Sequence, residues 1–211
     1  RGFATCWLMV TAVLGLLLGG AVANGMTWIL GADTMQEWAW RVPFLIAAPL
    51  GFISMYIRLK LEDSPEFLAL QRAGQTSRAP LREVWQWKRA IALVFFIITL
   101  HSSIFYLVLT FASTYMAKIL KFDSGTTLLY VFVASFSAAF VMPFGGAFTD
   151  KYGRKPFLMV IGTLATLAMF WLFKSAPTAT PASFFAPLMA VAILFGLYAS
   201  STYALMSELL P

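Results

Sequence analysis

Six long apolar runs, separated by short polar segments, organise this chain. They cover residues 3–23, 42–59, 91–115, 128–148, 157–172 and 186–205. A helix needs about 20 predominantly apolar residues to cross the hydrocarbon core of a bilayer, so each run is long enough, or nearly so, to span a membrane. The pattern therefore predicts an all-α integral membrane protein with about six transmembrane helices.

The composition agrees with a membrane location. Of the 211 residues, 60% are hydrophobic and only 11% are charged, whereas soluble domains carry about 25% charged residues. Apart from Arg58 at the end of its run, no Asp, Glu, Lys or Arg lies within the predicted spans. We therefore exclude an ordinary soluble domain.

The net charge of +6 follows from membrane topology. On one side of the predicted spans lie Arg41, Lys118, Lys121 and Lys174. The other eleven of the 15 Lys and Arg residues lie on the opposite side, which the positive-inside rule assigns to the cytoplasm. Both ends of the chain are then cytoplasmic. Because topology accounts for the basic residues, we expect no nucleic-acid partner.

The chain has one cysteine, Cys6, and one histidine, His101. An intramolecular disulfide and a multi-histidine metal site are therefore excluded. An enzyme acting in or beside the membrane would need a nucleophile and base, or a metal cluster, and no such set is visible. We expect no enzymatic activity, no metal and no cofactor.

A short charged hairpin separates the fourth and fifth runs. Its notable residues are Gly146, Asp150, Lys151, Gly153, Arg154 and Lys155. Asp150 ends an apolar helix at its negative end, so it needs compensation from Arg154 or from the N-terminus of another helix. Gly146 lets a neighbouring helix approach closely, and Gly153 can take the positive φ of a tight reversal.

Two interpretations of this hairpin remain open. An ion pair that re-forms when helices tilt would act as a latch between two conformations. Alternatively, the hairpin is a plain cytoplasmic turn whose basic residues obey the positive-inside rule. The plain turn explains Lys151, Arg154 and Lys155, but it explains neither the aspartate nor the spaced glycines.

Two of the runs carry polar stripes. At about 100° per residue, one face of the third run gathers Thr99, Ser103, Tyr106, Thr110 and Ser113. On the sixth run, the residues that share a face are Tyr198, Ser201 and Thr202. Polar stripes on membrane helices face a cavity or another helix, so both sets are candidates for substrate contacts or for interhelical hydrogen bonds.

His101 and a glycine pair are further candidates. His101 lies near mid-membrane, where an ionisable residue suggests function, and we consider it as a proton site. Its angle, opposite the stripe, instead favours a neutral histidine bonded to a neighbouring helix. Gly15 and Gly19 share a face of the first run, where they permit close helix packing.

The hairpin spacing G-x-x-x-D-[K/R]-x-G-[R/K]-[R/K] resembles the loop that recurs in both halves of the major facilitator superfamily of transporters. Further segments resemble the metabolite:proton symporter family within it, whose members include proline/betaine, 2-oxoglutarate and shikimate transporters. These are Trp40, Arg41, Pro43 and Phe44 around the start of the second run, and Glu62, Asp63, Ser64, Pro65 and Phe67 after it. Sugar porters share a related proline motif after the second run but not the whole pattern. Locally, Ser64 and Pro65 also predict the start of a short helix.

The resemblance implies a fragment covering about helices five to ten of a twelve-helix fold. Residues 1–61 would be the last two helices of the N-terminal six-helix bundle, 62–89 the cytoplasmic central loop, and 90–211 the first four helices of the C-terminal bundle. The proton-coupling residue would then be expected in helices outside the fragment.

The implied function is proton-coupled uptake of a small organic acid or zwitterionic osmolyte by alternating access. The resemblance also implies a multi-pass protein of the bacterial inner membrane that works as a monomer in the lipid bilayer. The alternatives are a sugar-porter-like or other major facilitator carrier and, further removed, a passive channel.

Overall fold

A computed structural model describes residues 2–61, 65–73 and 85–209. All regular elements in these ranges are helical, and six helices are long and apolar enough to cross a membrane. The predicted fold class is therefore confirmed. Two parts of the predicted central loop, residues 62–64 and 74–84, lie outside the described residues.

The helices are longer than the apolar runs that predicted them. In chain order they are α1 (Gly2–Leu30), α2 (Ala32–Glu37), α3 (Val42–Lys60), α4 (Pro65–Arg72), α5 (Lys88–Ile119), α6 (Ser124–Tyr152), α7 (Arg154–Ser175) and α8 (Pro181–Leu209). The short helix predicted after Ser64 is confirmed as α4.

The chain divides into two compact units. Unit one comprises Arg1–Leu17 and Arg89–Pro211, and unit two comprises Leu18–Lys88. The core of unit one is formed by buried side chains from α1, α5, α6, α7 and α8, among them Val13, Ile104, Met142, Ala165 and Phe195. In the described part of unit two, α3 has no buried residue.

Close packing of α6 on α8 depends on a small residue. A Cβ atom at Gly196 would overlap the backbone carbonyl oxygen of Ala138. A side chain at this position would push the two helices apart, so glycine is required where they cross.

Helix α5 is not a regular α-helix throughout. Tyr106–Phe111 and Tyr115–Ile119 are π-helical, with hydrogen bonds that close over one more residue than in an α-helix. The angular step therefore changes after residue 105, and a 100° step no longer places the later members of the predicted stripe.

The ends of α6 are defined by an aspartate and a glycine. Asp123 is the N-cap, and its side chain accepts a 2.8 Å hydrogen bond from the backbone N–H of Thr126. Hydrogen bonds from the side chain and backbone of Thr126 lower the pKa of Asp123. Gly153 ends the helix with φ of 91°, which confirms the expected positive φ.

Candidate functional site

The Asp150 carboxylate binds the N-terminus of α1. Its Oδ1 accepts a 2.7 Å hydrogen bond from the backbone N–H of Gly2, and its Oδ2 accepts a 3.0 Å bond from the N–H of Phe3. The first N–H groups of a helix have no intrahelical partner and carry its positive dipole end. The expected compensation by another helix is therefore present.

Two glycines make this contact possible. A Cβ atom at Gly146 would lie 2.9 Å from the carbonyl oxygen of Gly2. Conversely, a Cβ atom at Gly2 would lie 3.0 Å from both the Gly146 carbonyl oxygen and Asp150 Oδ1. The backbones of α1 and α6 thus touch at a point that only glycine permits, as expected for Gly146.

Arg154 joins the hairpin to the last turns of α8. Its side chain is only 9% exposed and lies 3.2 Å from Asp150 Oδ1. The same guanidinium donates a 3.0 Å hydrogen bond to the carbonyl oxygen of Ala204 and forms an ion pair with Glu208. Arg154 therefore links two carboxylates, and its cation lies at the negative end of α8, where charge of this sign is favourable.

The two lysines of the hairpin take no part in this network. Lys151 Nζ lies 5.3 Å from the centroid of the Tyr152 ring, and Lys155 is exposed. Of the six predicted hairpin residues, Gly146, Asp150 and Arg154 meet at the contact. Gly153 shapes the turn.

The sequence prediction missed three partners. These are the backbone N–H groups of Gly2 and Phe3 and the side chain of Glu208. No spacing rule connects residues so far apart in the chain. The only local signal was the carboxylate of Glu208 itself, an acidic residue after a long apolar run.

The stripe on α5 lies at the surface of unit one. Thr99, Ser103, Tyr106 and Thr110 are all exposed. The Thr99 hydroxyl donates to the Phe95 carbonyl at 2.7 Å, a bond within its own helix. The assignment of the α5 stripe to a substrate cavity stays a prediction.

The corresponding set on α8 is buried instead. Tyr198, Ser201 and Thr202 are each less than 4% exposed, at 3%, 0% and 1%. Tyr198 Oη donates a 3.4 Å hydrogen bond to the carbonyl oxygen of Ile97, and Thr202 Oγ1 donates to the carbonyl oxygen of Tyr198. The hydroxyl of Ser201 has no partner within the described residues. The structure therefore does not bring the two polar sets onto one surface of unit one.

His101 lies in an aromatic environment between α5 and α8. It is 5% exposed, and its ring centroid lies 5.4 Å from Phe195, 5.7 Å from Tyr203 and 6.5 Å from Tyr198. Its Nδ1 atom is buried and has no hydrogen-bond partner among the described residues. The proton-site assignment stays a prediction.

The predicted packing glycines have open space beside them. A Cβ atom at Gly15 or Gly19 would meet no non-local atom of the described chain within 4 Å. Within the described residues, no group of three or more His, Cys, Asp or Glu side chains could hold a metal ion.

Together these features define a multi-pass membrane protein in which a charged hairpin fastens one span to the N-terminus of another. A model of the Major Facilitator Superfamily matches residues 1–211, and the chain belongs to this family. The resemblance expected from the hairpin motif is confirmed.

Three curated relatives show the extent of the similarity. The proline/betaine transporter of Salmonella typhimurium (strain LT2) is 29% identical over 180 residues, which cover 80% of this chain and 36% of the relative. The citrate-proton symporter of Klebsiella pneumoniae is 25% identical over 215 aligned positions, covering 100% of this chain and 48% of the relative. The inner membrane metabolite transport protein YhjE of Escherichia coli (strain K12) is 29% identical over 210 residues, covering 94% of this chain and 47% of the relative.

The chain thus spans between about a third and a half of the length of these relatives. No solved structure matches it. The names of the relatives confirm the narrower resemblance to metabolite:proton symporters.

Proposed function

We propose that the full-length protein is a secondary active transporter, not an enzyme, which takes up a small polar metabolite together with protons by alternating access. Family membership and the transporter names of the relatives support this activity. The structural observation that carries the mechanism is the Asp150 carboxylate, which holds the N-terminus of α1 through two backbone hydrogen bonds.

This contact is suited to a two-state switch because it depends on the position of whole helices. A hydrogen bond to a charged group contributes about 1.5–3 kcal/mol. The Asp150 side chain is 29% exposed, so solvent keeps its bonds near the lower end of that range. Two such bonds contribute about 3 kcal/mol, which shifts a two-state equilibrium by more than about 100-fold.

Arg154 gives the open state a means of keeping Asp150 compensated. A tilt that separates α1 from α6 breaks both backbone bonds at once. The guanidinium remains attached to Asp150 and, through Ala204 and Glu208, to α8. The carboxylate is therefore never left without a partner, which lowers the barrier between the two states.

We infer that the substrate is a small organic acid or a zwitterionic osmolyte. The named relatives transport proline and betaine in one case and citrate with protons in the other, and these names do not favour the sugar-porter alternative. The exposed hydroxyls of Thr99, Ser103, Tyr106 and Thr110 can donate to carboxylate oxygens common to both substrate classes. The buried Tyr198, Ser201 and Thr202 would contact substrate only after α8 moves.

Topology and assembly complete the proposal. The protein would lie in the bacterial cytoplasmic membrane with both ends of this chain on the cytoplasmic side. Residues 1–61, 62–89 and 90–211 would belong to the N-terminal bundle, the central loop and the C-terminal bundle. It would work as a monomer.

Uptake by cells that express the full-length gene tests the function. Labelled proline, betaine, 2-oxoglutarate, citrate and shikimate would be offered with and without a protonophore. We expect one class of label to accumulate and the protonophore to abolish that accumulation. No uptake of any of these labels by protein that reaches the membrane would contradict the proposed substrate class.

A further inference from the structure

The C-terminal half of α5 carries an apolar set and a polar set, each with a spacing of four residues. The apolar residues are 5% exposed or less, and they are Ile104, Val108, Ala112 and Met116. The polar residues lie halfway between them in the sequence and are exposed; they are Tyr106, Thr110, Thr114 and Lys118. The polar set therefore faces away from the core of unit one.

The π-helical turns keep each set on one face of the helix. In an α-helix of 3.6 residues per turn, residues 104 and 116 would differ in direction by about 120°. A π-helical turn takes up one extra residue, which reduces this difference to about 20°. Tyr106–Phe111 is such a turn. The next exposed polar residue after it is Thr114, whereas Ser113, which a 100° step predicts, is half-buried.

The two threonine hydroxyls on this face are not bonded to their own helix. Elsewhere on α5, the Thr99 hydroxyl donates to the Phe95 carbonyl at 2.7 Å, and the Ser113 hydroxyl donates to the Thr110 carbonyl at 2.8 Å. Such bonds are common for hydroxyls on helices. Among the described residues, the hydroxyls of Thr110 and Thr114 have no hydrogen-bond partner, so both can bind a ligand.

Lys118 adds a positive charge at the end of this face. It is exposed, and it forms no ion pair within the described ranges of the chain. Residues four apart on a helix surface have Cβ atoms about 5–6 Å apart, and helical side chains lean toward the N-terminus of their helix. The Lys118 ammonium can therefore reach a ligand that is bound to the Thr114 hydroxyl.

The buried face of α5 fixes the orientation of this end of the helix. The Tyr115 ring packs against Phe173 of α7 and Phe184 of α8, with ring centroids 6.0 and 6.4 Å apart. The adjacent Met116 side chain is fully buried. These contacts hold the polar face in one direction.

The polar face runs from the membrane interior to one surface. Helix α5 has 32 residues in its span, whereas about 20 cross the hydrocarbon core, so its last turns extend beyond the core. In the proposed topology this end lies on the outer side. Polar side chains deeper in the membrane, such as Tyr106 and Thr110, face a water-filled path or another helix. Thr114 and Lys118 lie at the outer end of the same face.

We propose that Thr114 and Lys118 form an outer capture site for the carboxylate of the incoming substrate. The lysine ammonium attracts the carboxylate from solution, and the threonine hydroxyl donates a hydrogen bond to one of its oxygens. Thr110 and Tyr106 then receive it further inside the membrane. The inference rests on the proposed uptake function, and it names the substrate group that binds first, a carboxylate common to organic acids and zwitterionic osmolytes.

Uptake kinetics of the full-length protein in proteoliposomes test the role of the lysine. Lys118→Gln should raise KM by about fivefold, or about 1 kcal/mol, the upper value for an exposed ion pair. The maximal rate per reconstituted molecule should not change. Lys118→Arg keeps the charge and should restore most of the affinity. The matched control is Lys174→Gln, an exposed cation at the end of α7 on the same side of the membrane, which should behave like the wild type.

The dependence of KM on salt separates a charge effect from a structural one. With an anionic substrate such as citrate, the wild-type KM should rise with ionic strength at constant osmolality, because salt screens the attraction of the lysine. The KM of Lys118→Gln should depend less on salt. A variant that is merely distorted would keep the wild-type dependence.

Thiol labelling from the outside tests whether substrate occupies the face. The cysteines of the full-length protein, Cys6 among them, would be replaced by serine, and Thr114→Cys would be treated with a membrane-impermeant maleimide. Each of the five compounds of the uptake assay would be added in turn. A compound that binds here should slow labelling about tenfold at ten times its dissociation constant. Ser124→Cys, at the exposed start of α6, is the control that no compound should protect.

Three results would overturn the proposal. An unchanged KM in Lys118→Gln would remove the lysine from substrate binding. Absence of labelling at Thr114→Cys would show that another part of the protein covers the face, and labelling that no compound slows would show that the face binds none of them. Failure of the proposed function is a different result, in which the wild type itself accumulates no compound. Because labelling requires binding but no transport, it tests the site in that case as well.

Discussion

Asp150 Oδ1 lies 2.7 Å from the backbone nitrogen of Gly2, although the two residues are 148 positions apart in the chain. The carboxylate stands at the C-terminal end of α6, which repels negative charge, and at the N-terminal end of α1, which attracts it. Contact with α1 therefore adds to the stabilisation that Arg154 gives the carboxylate. The contacts of the Asp150 carboxylate therefore change when α1 and α6 move relative to each other.

Replacement of Asp150 by Asn should slow transport while the protein still inserts. One amide oxygen replaces two carboxylate oxygens, and the lost charge weakens both backbone bonds. We expect the initial uptake rate per inserted molecule to fall by at least about tenfold, which corresponds to about 1.4 kcal/mol. Lys151→Gln, in the same hairpin but outside the network, is the matched control. Normal uptake by a well-inserted Asn variant would reduce the hairpin to a topology signal.

Gly146→Ala should lower the stability of the protein and slow uptake, whereas Gly15→Ala should do neither. The new methyl at residue 146 would lie 2.9 Å from the Gly2 carbonyl oxygen, whereas at residue 15 it would meet no non-local described atom within 4 Å. Overpacking of this kind costs about 1–3 kcal/mol. We expect a lower thermal unfolding midpoint and slower uptake for Gly146→Ala alone. Equal behaviour of the two variants would show that α1 and α6 do not touch as described.

Asp150 and Arg154 should behave as a coupled pair. The two side chains form an ion pair, and Arg154 forms a second one with Glu208. A double-mutant cycle of Asp150→Asn and Arg154→Gln, measured by uptake, should give a combined loss smaller than the sum of the single losses. Glu208→Gln should cost less than Asp150→Asn, because the Glu208 side chain is 45% exposed. Strict additivity of the first two variants would contradict a shared network.

His101→Gln tests the predicted proton site. His101 is the only histidine in the chain, and it is buried among Phe195, Tyr198 and Tyr203. If it carries the proton, the Gln variant should lose accumulation against a gradient but keep substrate exchange, which needs no net proton movement. If the Gln variant retains protonophore-sensitive accumulation, His101 has no role in coupling.

The number and type of helices followed from the sequence because apolar runs of this length have only one stable form in a bilayer. Their ends did not. Helix α1 continues to Leu30, beyond the predicted end at residue 23. Asn24 and Thr27 lie within this extension, and their side chains donate to carbonyl oxygens of the preceding turn, at 2.8 and 2.9 Å. Polar residues that bond to their own helix do not end it.

The sequence predicted which kinds of group would compensate Asp150, but not which helix would supply its N-terminus. The position of Asp150 at a helix end already required compensation by Arg154 or by a helix N-terminus, and the structure has both. Which helix supplies its N-terminus depends on tertiary packing across 148 residues. The π-helical turns of α5 were also invisible, because no residue type marks them as proline marks a kink.

Proton-driven accumulation in proteoliposomes tests the central claim most directly. The full-length protein would be reconstituted with the labelled compound that cells take up, and an inward proton gradient would be imposed. The account predicts that the label rises above its external concentration and returns to it when a protonophore is added. Uptake that only equilibrates, with or without the gradient, would contradict proton-coupled transport.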